Sequence, residues 1–180
     1  MSSTTRSFTP DKSQLIAGLG HVLYEIDMFL IAGSTCSPFP FPFLNNCVLE
    51  SRLIHTRCLL DFFEKDKRST RKIDEKSRAE LDDILAKDFG FSPRDNPLAK
   101  HYRERLNQDL AHLSYARTER AESSKNWPLE ETFAPFLPVL HDFLSHSAGW
   151  INDHPKVPDF TRQKCSELLV SIRKLSPDGR

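Results

Sequence analysis

Between Val48 and Phe63 apolar side chains fall on nearly every side of a helix, and no other pattern constrains the fold as much. Val48, Leu49, Leu53, Ile54, Cys58, Leu59, Leu60, Phe62 and Phe63 are spread around a 3.6-residue period, which predicts a helix over about 45–65 enclosed by other helices. The chain supplies them. Leu15, Leu19, Val22, Ile26, Phe29 and Leu30 form one apolar face of a first helix, opened by Asp11 or Ser13 and stopped at Ala32-Gly33. Pro97 to Arg117 reads as a third long helix behind an Asp95 or Asn96 cap. A fourth starts near Pro135, because only a first turn tolerates Pro135 and Pro138 together. Ser145 to Pro158 reads as a connection, and Thr161 opens a last helix with Cys165, Leu168, Leu169 and Ile172 on one side.

No strand-like alternation of useful length and no internal repeat appears. The expected fold is therefore all-α, an up-and-down bundle of four to five long helices, with the second and third as central neighbours. Residues 1–180 make one domain, with 1–10 as a flexible tail and 66–96 as a charged loop holding a short helix that ends near Gly90. In Ser37-Pro-Phe-Pro-Phe-Pro-Phe43 the prolines forbid helix, and its phenylalanines are expected to cover the bundle's own core rather than dock a partner.

Twenty-five basic residues balance 25 acidic ones, so no global field draws the chain to nucleic acid or an anionic membrane, and any such site must be local. Leu15 to Gly33 is apolar, but His21, Glu25 and Asp27 interrupt it at roughly 2.5 kcal/mol or more per charge at a bilayer centre. It reads as a core helix, and no membrane association is expected. The start of the chain lacks the apolar run of a secretory signal. Cys36, Cys47, Cys58 and Cys165 form no Cys-x-x-Cys pair and no zinc-finger spacing, which predicts free thiols in a reducing cytoplasm and no metal or other cofactor. Phosphate-loop, nucleophile-elbow and His-Glu-x-x-His motifs are missing, which removes nucleotide hydrolases of that type, common esterases and zincins. His141 and His146 are five apart, the wrong spacing for one helical face.

One constellation has the composition of an active site. On the third helix Arg105, Asp109 and His112 fall within an arc of about 60°, beside the apolar row Tyr102, Leu106, Leu110 and Leu113, with Asn107 nearby. An arginine fork neutralises phosphate oxygens and an imidazole exchanges a proton near neutrality, which suits metal-free phosphodiester cleavage using the ribose 2′-hydroxyl. On the second helix Glu50, Arg57 and Asp61 share a narrow stripe. Such charges need partners, and with Arg117 they form a candidate supporting network tying helix two to helix three. Equally, His112 beside an apolar row is a helix-packing histidine, and His55, opposite the stripe, reads as packing.

Arg105, six residues and then His112, set in a late helix of an all-helical bundle, resembles the HEPN superfamily, whose motif is Arg, four to six residues, His. The Asn107-to-Arg117 run and Leu49-to-Phe63 look like uncharacterised bacterial proteins related to it, and the likeness spans roughly 15–145. Leu106 departs from the family habit of a polar residue after the arginine. The resemblance implies a homodimer whose two motifs form one cleft that cuts RNA without metal, often in toxin-antitoxin or phage-defence systems with an antitoxin-like partner. Other HEPN-like domains are non-catalytic, so a bundle that binds a protein partner or small ligand stays open as the alternative.

Overall fold

The computed structural model describes residues 4–35, 39–73, 77–92, 94–95, 98, 100–111 and 127–175. It is a predominantly helical bundle: α1 (Lys12–Ser34), α2 (Pro42–Glu64), α3 (Lys100–Ala111), α4 (Leu129–Phe133), α5 (Phe136–Asn152) and α6 (Asp159–Leu175). Helix α1 packs against α2 and α6, α2 against α3, and α5 against α6. Asp11 opens α1 with a full capping box, its carboxylate accepting from the Gln14 backbone while Gln14 accepts from the Asp11 N–H. Among the described helices α1 is the one long and apolar enough to cross a bilayer. Its Leu19, Leu23, Ile26 and Phe29 are fully buried in the bundle.

Phe143 of α5 is the hub of the core. Its ring meets Phe62, Phe63, Phe89 and Phe91 edge-on at 5.1–6.1 Å between centroids, the geometry that the ring quadrupoles favour. At the other end Phe133 of α4 stacks on Phe29 at 5.0 Å and lies so close to α1 that a Cβ on Gly33 would fall inside its ring. Arg162 of α6 donates to the carbonyls of Ile151, His154 and Val157, which neutralises the negative end of α5.

Several expectations are corrected. Thr4–Arg6 is a strand, β1, and with β2 (Thr70–Lys72) and β3 (Ser77–Glu80) it makes a small sheet of order β1-β3-β2. β1 runs parallel to β3 with Thr5 opposite Arg78, and β2 is antiparallel to it with Arg71 opposite Ala79. Within the expected flexible tail, residues 4–8 are thus tied down, with Phe8 N–H donating to Glu80 at 2.9 Å. In the charged stretch the short helix is a 3₁₀ turn, Ala86–Phe89, stopped by Gly90 at φ +75°. Buried Arg68 anchors this stretch, 2.6 Å from Asp88, donating to the Asp83 carbonyl and lying over the Phe8 ring. Helix α5 continues to Asn152 through the expected connection, because Ser147 and Ile151 are buried there.

The proline strip also behaves differently. Pro42 is the first residue of α2, and Phe39, Phe41 and Phe43 stand exposed at that end instead of covering the core. Nor is α2 enclosed all round. Ile54 and Cys58 reach solvent, while Arg52, His55 and Thr56 are buried.

Candidate functional site

Helix α3 carries the sequence constellation, and its periodicity sets what faces where. Leu106 is fully buried against the core, Arg105 is half-buried and Asn107 is exposed. Leu106, with Tyr102 packed beside it, therefore docks α3 on the core. Asp109 falls on the last turn of α3; its side chain, like the whole of His112 and Arg117, lies outside the described residues.

Arg105 is held in place. Its guanidinium lies over the Trp127 ring at 4.0 Å from the centroid, a cation–π contact worth about 0.5–1 kcal/mol where solvent reaches it. One turn earlier Tyr102 donates its hydroxyl to Glu131 of α4 at 2.6 Å. That hydrogen bond pushes the Tyr102 phenol above its usual range, and the positive charge of Arg105 opposes the shift. Trp127 thus seats the guanidinium, a planar fork of the kind that matches phosphate oxygens, with the Tyr102–Glu131 pair one turn away.

The expected partners of the α2 stripe, His112 and Arg117, lie outside the described residues; within them the stripe is distributed as follows. Glu50 is exposed, Arg57 is half-buried, and Asp61 pairs within its own helix with Lys65 at 3.0 Å. The described ion pair between α2 and α3 comes instead from Glu64, whose Oε2 lies 2.5 Å from Arg103 Nη1. Burial raises the Glu64 carboxyl above its usual range and the Arg103 charge only partly counters it. Periodicity could have marked Glu64 as a charge at the end of an apolar run. Arg103 as its partner required the third dimension.

A second polar group lies between α1 and α2. His55 Nδ1 donates to Glu25 Oε2 at 2.7 Å, and the Tyr24 ring meets the imidazole edge-on at 5.9 Å. Cys58, one turn further along α2, stands at a cleft of about 310 Å³ that Glu25, His21, Asp61 and Asp83 also line. Desolvation of the sulfur by the cleft wall, and then the Glu25 carboxylate, push the thiol up to about 11, although part of the residue reaches solvent. A thiol so placed stays protonated at neutral pH, the opposite of an activated nucleophile. His55 was legible as a packing residue, but its carboxylate partner 30 positions away was not. Among the described residues no group of three or more His, Cys, Asp or Glu side chains is arranged to hold a metal ion.

His141 is 3.9 Å from Asp142 on α5, His146 meets the Phe89 carbonyl at 2.8 Å, and His154 stacks on Trp150 at 3.8 Å between centroids. Each has its own neighbour and they do not converge. Comparison of the chain with protein-family models, with curated proteins and with solved structures finds no significant match.

Proposed function

We propose that the protein is a HEPN-like helical bundle that cuts RNA without metal, acting in the cytoplasm as a homodimer of the toxin or phage-defence type. Arg105 clamps a phosphate, His112 moves the proton of the ribose 2′-hydroxyl, and Asn107 and Asp109 orient them. What supports this is Arg105: its guanidinium is held over Trp127 on a helix whose adjacent Asn107 faces solvent. Leu106 is compatible with the role, since it supplies the buried anchor of α3.

The test is incubation of the purified protein with single-stranded RNA in chelator. Cleavage with cyclic-phosphate ends, lost in both His112→Ala and Arg105→Ala, is the expected result. Equal cleavage by the native and His112→Ala proteins refutes the role of His112.

A second reading has its own observation. Phe39, Phe41 and Phe43 stand exposed together at the start of α2, an apolar surface of the sort that docks a protein partner, as in a non-catalytic bundle or beside an antitoxin-like inhibitor. Here His112→Ala lowers the melting temperature and changes no activity.

A further inference from the structure

The groove between α1 and α6 combines features that neither reading uses. It is a concavity of about 380 Å³, within the range of small-ligand sites. Tyr24 on α1 and Phe160 in the first turn of α6 line it, yet they are 54% and 70% exposed, two large rings left open to solvent on the walls of one concavity. Tyr24 is braced from behind by the edge of His55, itself fixed by Glu25. Gly20 leaves open space where a Cβ would stand. Lys164 reaches across the groove to Asp27 at 3.0 Å and lies 3.9 Å from Glu167.

We propose that this groove binds a planar heteroaromatic ring of the nucleobase class, packed against Phe160 and Tyr24, with its N–H groups turned to the Asp27 and Glu167 carboxylates. Charge selects the class. One ammonium facing two carboxylates disfavours a phosphate, whereas the amino N–H donors at the edge of a base match carboxylate acceptors. Ring faces contribute without regard to sequence because every base has a π-face, and two aromatics on rigid helices lose little freedom on binding. The ring could come from a free nucleoside or from one base of an RNA strand, and the site does not depend on whether Arg105 and His112 cleave RNA.

Isothermal titration of the full chain with adenosine, and separately with an oligoadenylate of about eight nucleotides, tests both sources. Phe160→Ala and Phe160→Leu, the second keeping apolar bulk without the ring, should each weaken binding at least about fivefold, whereas Ile54→Ala, at an exposed position outside the groove, should leave it unchanged. Adenosine binding with this pattern assigns a nucleoside site; the pattern with the oligonucleotide alone assigns a base within a strand. Because Phe160 is mostly exposed, both variants should melt with the native protein. No binding of either probe at millimolar concentration overturns the proposal. So does binding that Phe160→Leu leaves intact, or that Ile54→Ala weakens equally.

Discussion

Removing Arg103 should cost more than removing the charge that it faces. The Glu64 carboxyl is 11% exposed and has no hydrogen bond to either oxygen among the described residues, while the Arg103 side chain is 42% exposed. Breaking a fully buried pair by deleting one partner costs about 3–5 kcal/mol, because the other charge is left stranded. Water reaches this pair from the Arg103 side, so about 1–2 kcal/mol is the expected cost of Arg103→Ala. For a chain of this size that lowers the melting temperature by roughly 2–8 °C. Glu64→Leu, which fills the same space without a charge, should be neutral within about 1 kcal/mol.

The pH dependence gives a sharper signature. Burial already holds the Glu64 carboxyl above its ordinary value of 4.5, and deleting Arg103 removes a positive charge that lowers it. A carboxyl whose folded-state pKa is raised contributes stability that is fully present below the unfolded value and lost as pH rises through the folded one. The penalty of Arg103→Ala should therefore be largest at about pH 8 and shrink as pH approaches 4.5. Urea unfolding of native, Arg103→Ala and Glu64→Leu proteins at both ends of that window measures it. An Arg103→Ala penalty independent of pH, or a Glu64→Leu penalty of equal size, refutes the assignment of Glu64 as a buried charge dependent on Arg103.

Phe143→Ala empties the centre of four edge-on ring contacts and should destabilise by about 3–5 kcal/mol in denaturant unfolding; a loss under about 1 kcal/mol would show that the ring cluster is not the core. Gly33→Ala pushes a methyl into the Phe133 ring and should cost about 1–3 kcal/mol, relieved by the compensating Phe133→Leu; if the double variant is no better than the single, that close approach is not the cause. With the other cysteines replaced by serine, Cys58 should alkylate several-fold more slowly at pH 9 than an exposed thiol of ordinary pKa, since few of its sulfurs are thiolate until pH nears 11. Its reaction rate should keep rising across pH 9–11, and a plateau below pH 9 would contradict the raised value.

What the sequence disclosed follows from which forces are local. Asp11 opens α1 because capping acts within a turn, but the glycine stop expected at Gly33 is not used: Gly33 stays inside α1, which runs Lys12–Ser34 and ends at Thr35, whose hydroxyl donates to the Ile31 carbonyl. Pro42 hid the start of α2, since a proline opens a helix as readily as it ends an extended strip. Three strands of three or four residues are too short to show alternation, and the Thr4–Ser77 pairing is invisible to any local window. Ser145 to Pro158 read as a connection, but burial of Phe143, Leu144 and Ile151 carries α5 onward to Asn152. At the candidate site Arg105 was legible from its spacing. Its Trp127 seat was not, because cation–π partners leave no periodic trace.

The parallel pairing of β1 with β3 has a consequence for the order in which the chain assembles. Everything from Phe8 to Lys72, including the whole α1–α2 hairpin and β2, lies between the paired edges. Closing so long a span from an open coil is entropically costly, but a hairpin that has already docked brings its two ends together and shortens the effective span. The sheet should therefore form after α1 and α2 have met, and its amides should exchange with solvent earlier than those of the helices it closes over. In this chain the clasp is fastened last.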